Sequence, residues 1–425
     1  MHHFQSVAGV LHAESVPLGD VARAVGTPTF VYSRATLARH VGVFSQAFGS
    51  HPHLVCYSVK ANGNLSLLSL LSRLGAGMDI VSGGELHRCL LAGVDPRRIV
   101  FSGVGKQAGE IREALAVGIK MFNVESEDEL RTLESEAAAA GVRAPLAVRV
   151  NPEVDAKTHP YIATGLAESK FGVTADEARR LYGIAKASAH LEALGIDCHI
   201  GSQISSLDPL VEAFGRMAKL VDDVRRSGIP IRVLDIGGGL GISYREGTPP
   251  PPHPTEYAAA VLDVLGRQGL SDLEIVIEPG RVIVGNAGIL LTRVVRAKQT
   301  AHRRFVVVDA AMNDLVRPSL YGSWHEIEPV VPRAGEKTPA DVVGPVCESA
   351  DFLAKQRPLP PIEAGDLLAV FSAGAYGFAM SSNYNARPRA AEVLVDGDRF
   401  EVIRTRETRE DLVRGETEAL ARLSK

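Results

Sequence analysis

The chain has few cysteines, no excess of basic charge and no long apolar run. Its four cysteines, Cys56, Cys89, Cys198 and Cys347, lie far apart and include no C-x-x-C. That spacing argues against a structural zinc site and fits a reducing compartment. The formal net charge of −4 argues against a nucleic-acid binder, which would carry a basic patch. No apolar run approaches the roughly 20 residues needed to cross a membrane. The stretch Met1-His2-His3-Phe4-Gln5 lacks the basic segment and apolar core of a signal peptide. A cytoplasmic protein is expected, with no metal and with neither nucleic-acid nor membrane partners. Low-complexity tracts are missing too, and the composition, 45% hydrophobic and 23% charged, is ordinary for a globular protein.

What is present is length and rhythm. At 425 residues the chain exceeds one small core, and two domains are expected. From about residue 30 to 285, short apolar runs alternate with helical patterns. The spacing predicts strands at Leu54–Val59, Met78–Val81, Ile99–Phe101, Met121–Val124, Leu146–Val150, Leu194–Ile200, Val233–Ile236 and Glu274–Ile277. Helical periodicity falls between them, at Glu110–Val117, Glu127–Ala140, Asp176–Ala189 and Pro209–Arg226. Eight βα units point to an α/β fold with a closed (β/α)8 TIM-type barrel over residues 30–285. A doubly wound open sheet is the alternative. After Gly285 the crossover helices stop. Strands are predicted at Val294–Ala297, Phe305–Val308, Leu367–Val370, Ala391–Val395 and Arg399–Ile403, with a hairpin turn at Val395–Asp398. Residues 286–425 therefore read as a β-rich domain, joined by residues 1–29. Proline clusters at Pro329–Pro339 and Pro358–Pro361 read as long loops, and Pro249–Pro254 as a rigid surface loop.

In such a barrel, polar residues at the C-terminal strand ends build the site. Lys60 follows the first strand. Asp79 lies in the second, Asn123 and Glu125 close the fourth, Arg149 and Asn151 the fifth. His199, Ser202 and Gln203 follow the sixth, Gly237-Gly238-Gly239 the seventh, and Glu278-Pro279-Gly280-Arg281 the eighth. An amine held in a desolvating pocket at a strand end has a lowered pKa, and a neutral amine attacks an aldehyde to form a Schiff base. A surface lysine is the plain alternative. The glycine run after the seventh strand lets backbone N–H groups approach an anion. A dinucleotide fingerprint would want Gly or Ala where Ile242 stands, so a single phosphate fits better, with a tight turn as the other reading. His199 on a strand is either a satisfied core residue or a flat ring able to stack on an aromatic cofactor. Glu278 beside Arg281 is either an internal ion pair or a carboxylate able to keep a pyridine nitrogen protonated.

These motifs resemble those of the diaminopimelate decarboxylases, pyridoxal-phosphate enzymes with the alanine-racemase-like barrel. The resemblance rests on Tyr57–Asn62, Asp79–Glu85, Phe101–Lys106, His159–Gly165, Lys170–Gly172, His199–Gln203, Gly237–Gly239 and Glu278–Arg281. It continues into the second domain at Asp309–Tyr321, Gly344–Asp351 and Gly374–Gly377. After Tyr321 the chain reads Gly322-Ser323-Trp324-His325-Glu326, where it departs from the family pattern.

The resemblance implies decarboxylation of meso-2,6-diaminoheptanedioate (diaminopimelate) to L-lysine and CO2, the last step of lysine biosynthesis. It implies that Lys60 holds pyridoxal 5′-phosphate and that His199 stacks on its ring. Ser202, Gly237, Gly238, Gly239, Gly280 and Tyr376 would hold the phosphate, in a cofactor site that includes Pro279 and Arg281. Glu278 would face the ring nitrogen. Arg281, Arg317 and Tyr321 would bind the far carboxylate of the substrate, Glu348 its far ammonium, and Tyr376 would also border it. Cys347 would return the proton after CO2 leaves; the plain reading of Cys347 is a small buried hydrophobe. A homodimer with shared active sites is implied, the Cys347-Glu348 loop reaching the partner's site. The roles of Asp79 and Glu125 stay open. The competing readings are another basic amino-acid decarboxylase of this fold, an amino-acid racemase and a non-catalytic regulatory relative. Retention of Lys60, Cys347, Arg317 and Tyr321 argues against them.

Overall fold

In the computed structural model, which describes residues 2–155, 169–245 and 247–423, the eight short apolar runs form a closed parallel barrel. Its strands are His53–Ser58, Gly77–Ile80, Ile99–Phe101, Met121–Val124, Ala144–Arg149, Leu191–Asp197, Val233–Asp235 and Glu274–Ile277. The eighth strand pairs with the first, Ile275 opposite His53, which closes the sheet and excludes the open doubly wound alternative. Leu54, Cys56, Val100, Met121, Ala147, Val233 and Val276 pack together as a buried cluster of barrel-strand side chains.

The connections are helical where the periodicity placed them, at Ala108–Val117, Glu127–Ala140, Ala175–Ala187 and Asp208–Arg226. Local chemistry sets their ends. Ser126 accepts the Glu129 N–H ahead of the helix Glu127–Ala140, three acidic residues fill its first turn, and Gly141 ends it in the left-handed region. Pro254, last of the proline run, is the first residue of a helix rather than part of the loop, since proline lacks only an N–H that this position leaves unused.

Two compact units divide the chain. The barrel unit comprises Ala38–Ser243 and Pro249–Ile283; the sheet unit comprises Met1–Leu37, Tyr244–Thr248 and Val284–Lys425. In the sheet unit the long strand Gly288–Gln299 is the organiser. Its first half pairs with Thr29–Ser33 and Leu367–Val370, and its second half with Arg304–Val308. Ala391–Asp396 and Arg399–Arg404 extend the sheet on the side of Thr29–Ser33, where Ala391–Val395 runs parallel to it.

Two strands in this unit differ from the sequence reading. Thr338–Val343 and Phe352–Leu359 pair antiparallel, with Pro339 directly opposite Pro358. Proline was read there as loop. Both prolines sit near strand ends, and Phe352–Leu359 is an edge strand, so the missing N–H groups cost little pairing. A small three-stranded meander, Phe4–Val7, Val10–Ala13 and Val16–Pro17, was also not foreseen. Its buried Phe4, Leu11 and Val16 join the core formed by Val31, Ile289, Leu291, Val393 and Val395. No helix among the described residues is long and apolar enough to cross a membrane.

Candidate active site

The first barrel strand ends at Ser58, and one 3-10 turn, Val59–Ala61, carries Lys60 beyond it. The Nζ of Lys60 lies 2.7 Å from Oδ2 of Asp79 in the second strand. The Lys60 side chain is 39% exposed, whereas that of Asp79 is fully buried. The expected desolvating pocket is therefore corrected. The chain leaves the strand before residue 60, so the amine stands at the barrel end, paired with a buried carboxylate.

Below it, polar side chains replace apolar ones. Strand register sets Arg149 beside Asp197 and Asp197 beside Asp235, so the three project to the same face. Carboxylate oxygens of Asp197, Asp235 and Glu278 lie within 4.8 Å of one another. Ser102 Oγ donates to Glu278 Oε1 at 3.1 Å, and Asn123 Nδ2 donates to the same atom at 3.3 Å. Asn123 Nδ2 also reaches Asp235 Oδ2 at 3.3 Å. Burial disfavours the charged form of all three acids, and their mutual repulsion adds to it. Burial, then Asp235 and Asp79, push Glu278 well above the usual carboxylate range, against Lys60 and Arg149. Asp235 and Asp197 are raised by burial in the same way. Arg149 Nη1 lies 3.3 Å from Glu125 Oε1. Glu125 in turn accepts the N–H groups of Gly103 and Gly172, which explains its place as a scaffold for neighbouring loops.

His199 follows the sixth strand by two residues. Its Nδ1 accepts the Gly238 N–H at 3.1 Å, so the ring is neutral with its proton on Nε2. Burial, then Arg149 and Lys60, hold its pKa well below the usual value. The glycine turn is partly engaged by the protein itself. Gly237 N–H donates to Asp235 Oδ1 at 3.0 Å, and Gly238 N–H serves His199. Gly239 N–H has no acceptor among the described residues. Packing requires glycine here as well, because a Cβ at Gly238 would collide with the carbonyl oxygen of Glu278. Arg281 donates to Ser202 Oγ from Nη2 at 2.9 Å and from Nε at 3.3 Å. The structure thus brings Lys60, His199, Ser202, Gly237–Gly239, Glu278 and Arg281 to one end of the barrel unit.

The remaining sequence-derived candidates belong to the sheet unit. Arg317 is buried and opens the short helix Arg317–Tyr321. Its Nη1 donates to Tyr244 Oη at 2.9 Å and to His325 Nε2 at 3.3 Å, and its Nη2 to Ser323 Oγ at 3.3 Å. Tyr321 is half-buried at the end of that helix. Tyr376 is half-buried and adopts φ +58°, a left-handed conformation that costs a non-glycine residue about 1–2 kcal/mol. Cys347 and Glu348 are exposed, so Cys347 is not the buried hydrophobe of its plain reading. The Cys347 N–H donates to Asn385 Oδ1 at 2.8 Å. The stretch His159–Gly165 lies outside the described residues.

Sequence reasoning missed Asp197 and Asp235 as site residues, although both are charged residues inside predicted apolar strands. It also missed Tyr244 and His325, whose link to Arg317 leaves no mark in the linear pattern.

The family described as pyridoxal-dependent decarboxylase, pyridoxal binding domain, matches residues 34–285. Over 399 residues the chain is 55% identical to the diaminopimelate decarboxylase of Vibrio cholerae, covering 94% of each. The crystal structure of Helicobacter pylori diaminopimelate decarboxylase complexed with L-lysine superposes with a TM-score of 0.91 at 46% identity, covering 95% of this chain and all of that one. The crystal structure of diaminopimelate decarboxylase from M. jannaschii in co-complex with L-lysine gives a TM-score of 0.94 at 34% identity, with 98% of both chains covered.

Proposed function

Because the chain belongs to the diaminopimelate decarboxylase family of pyridoxal-dependent decarboxylases, we propose that it decarboxylates meso-diaminopimelate to L-lysine and CO2, the last step of lysine biosynthesis. The observation that carries this reading is one barrel end where an amine, Lys60, a neutral imidazole, His199, and a buried carboxylate, Glu278, converge. The same residues fit pyridoxal phosphate. Lys60 supplies the amine for its aldehyde, and the neutral His199 ring a stacking face. Glu278, whose ionised form is unfavourable beside Asp235 and Asp79, gains a cationic partner if it faces a protonated ring nitrogen. Gly239 N–H and Ser202 Oγ are suited to the phosphate, with Gly237, Gly238, Pro279, Gly280 and Tyr376 shaping that end. When bound, the cofactor supplies the electron sink for the pair left as CO2 departs.

The chain's own residues do the rest. A substrate with two alike amino-acid ends needs a reader for the end that does not react. Arg281, Arg317 and Tyr321 take its far carboxylate, guanidinium groups being suited to bidentate binding, and Glu348 takes its far ammonium. Cys347 gives a proton to the carbon that has lost CO2. The family's homodimer, in which the Cys347-Glu348 loop serves the partner's site, accounts for the exposure of both residues in a single chain.

The test incubates purified protein and pyridoxal phosphate with meso-diaminopimelate, ornithine or arginine, and measures CO2 and product. Release from diaminopimelate alone is expected, because substrates without the far carboxylate forgo its charge-assisted pairing with Arg281, Arg317 and Tyr321, at a discrimination of about 10⁴. Release from ornithine but not diaminopimelate would refute the proposal.

A further inference from the structure

We propose that His325 is a positioning residue for specificity: it fixes the plane of the Arg317 guanidinium that reads the far carboxylate of the substrate. The inference rests on the proposed role of Arg317 and adds the device that orients it.

His325 is fully buried. It immediately precedes Glu326 and the strand Ile327–Pro329, which pairs antiparallel with Leu367–Val370. The pairing continues one step further, Phe371 N–H donating to the Glu326 carbonyl at 2.8 Å. That alignment puts the Phe371 carbonyl 2.8 Å from His325 Nδ1. A carbonyl oxygen only accepts, so Nδ1 carries the proton and Nε2 presents its lone pair. Nε2 faces Arg317 Nη1 at 3.3 Å. Had the proton been on Nε2, two N–H groups would oppose each other. A backbone carbonyl set by sheet register therefore selects the tautomer that can hold the arginine.

Two further acceptors complete the hold. Tyr244 Oη takes a proton of Nη1 at 2.9 Å, and its ring meets the His325 ring edge-on, with centroids 5.2 Å apart. Ser323 Oγ takes a proton of Nη2. All three acceptors are neutral, so these contacts orient the guanidinium through hydrogen bonds alone. Anchors at both sides of the fork fix its plane, and bidentate carboxylate binding depends on that plane. The loop is pinned beside His325. Trp324 carries Arg357 over its ring at 3.5 Å and Arg245 at 4.5 Å, and its Nε1 donates to Glu326 at 2.9 Å.

The experiment compares full-length wild type with His325→Leu and His325→Gln, each with bound cofactor. Thermal melting and cofactor absorbance confirm an intact fold. KM and kcat are measured for meso-diaminopimelate, and CO2 release from D-lysine, which keeps the reacting D-configured end but lacks the far carboxylate, is measured alongside. His325→Leu should raise KM for diaminopimelate by up to about 10²-fold, as misplacement of a positioning group does, while kcat stays within a few-fold. That pattern is expected because the far carboxylate is held equally before and during reaction. The preference for diaminopimelate over D-lysine should fall by a similar factor. His325→Gln, which keeps an acceptor toward Arg317, should recover most of the loss. An unmoved KM in His325→Leu, or equal losses in both variants, overturns the positioning role while the activity stands. No CO2 from diaminopimelate with the wild type overturns the activity reading and the inference with it.

Discussion

At Lys60 the side chain is one half of a pair. Asp79 approaches it at 2.7 Å from the neighbouring strand, fully buried where Lys60 is partly exposed. An anion so placed tethers the amine at the barrel end while leaving it accessible, which suits the role proposed for Lys60 of both holding and releasing the cofactor. Lys60→Ala should abolish the borohydride-trappable cofactor adduct and lower turnover by roughly 10⁴-fold, the scale of losing one member of a catalytic unit. Mass spectrometry of the reduced protein reads the adduct directly. An adduct persisting at another lysine, Lys106 or Lys120 for example, would overturn the assignment. Lys60 itself was legible because a lysine in Tyr57-Ser58-Val59-Lys60-Ala61-Asn62 ends an apolar run. Its partner was not, since Asp79 lies 19 residues away and is brought close only by the pairing of Ser58 with Asp79.

At the scale of elements, the turn Gly237–Gly239 ties strands six, seven and eight together. Gly237 N–H binds Asp235, Gly238 N–H binds His199, and the Glu278 N–H donates to the Gly237 carbonyl at 2.8 Å. The turn therefore positions the His199 ring and the Glu278 backbone together. Gly238→Ala should cost about 1–3 kcal/mol by overpacking against the Glu278 carbonyl. It should also weaken cofactor affinity through His199. Denaturant midpoints and cofactor titration separate the two effects, and unchanged values for both would contradict the role given to the turn. The barrel strands were readable as elements because each is a short apolar run bounded by polar residues. Thr338–Val343 and Phe352–Leu359 were not, because their prolines carry a local loop signal that edge pairing overrides.

For the whole molecule, the proposed roles span both units. Lys60, His199 and Glu278 belong to the barrel unit, while Arg317, Tyr321, Cys347 and Glu348 belong to the sheet unit. If the exposed Cys347-Glu348 loop serves a partner's site, two inactive variants should complement each other. Mixing Lys60→Ala with Cys347→Ala chains under exchange conditions should restore about a quarter of wild-type turnover, because half the dimers are hybrid and each hybrid has one complete site of two. Size-exclusion chromatography establishes the dimer, and activity against mixing time follows exchange. A dimer with no recovery after full exchange would place Cys347 in its own chain's site.

The sequence by itself determined the order of strands and helices, the closed α/β barrel, the β-rich second unit and the residue types at the strand ends. Those features depend on local patterns, apolar runs, caps and turns, that need no distant partner. Only the tertiary structure decided which of those residues meet. Strand register aligned Arg149, Asp197 and Asp235, the pairing of strands seven and eight set Glu278 beside Asp235, and a backbone carbonyl 46 residues away chose the tautomer of His325. Hydrogen bonds act over about 3 Å, so partners remote in sequence become partners only once register and closure have brought them together.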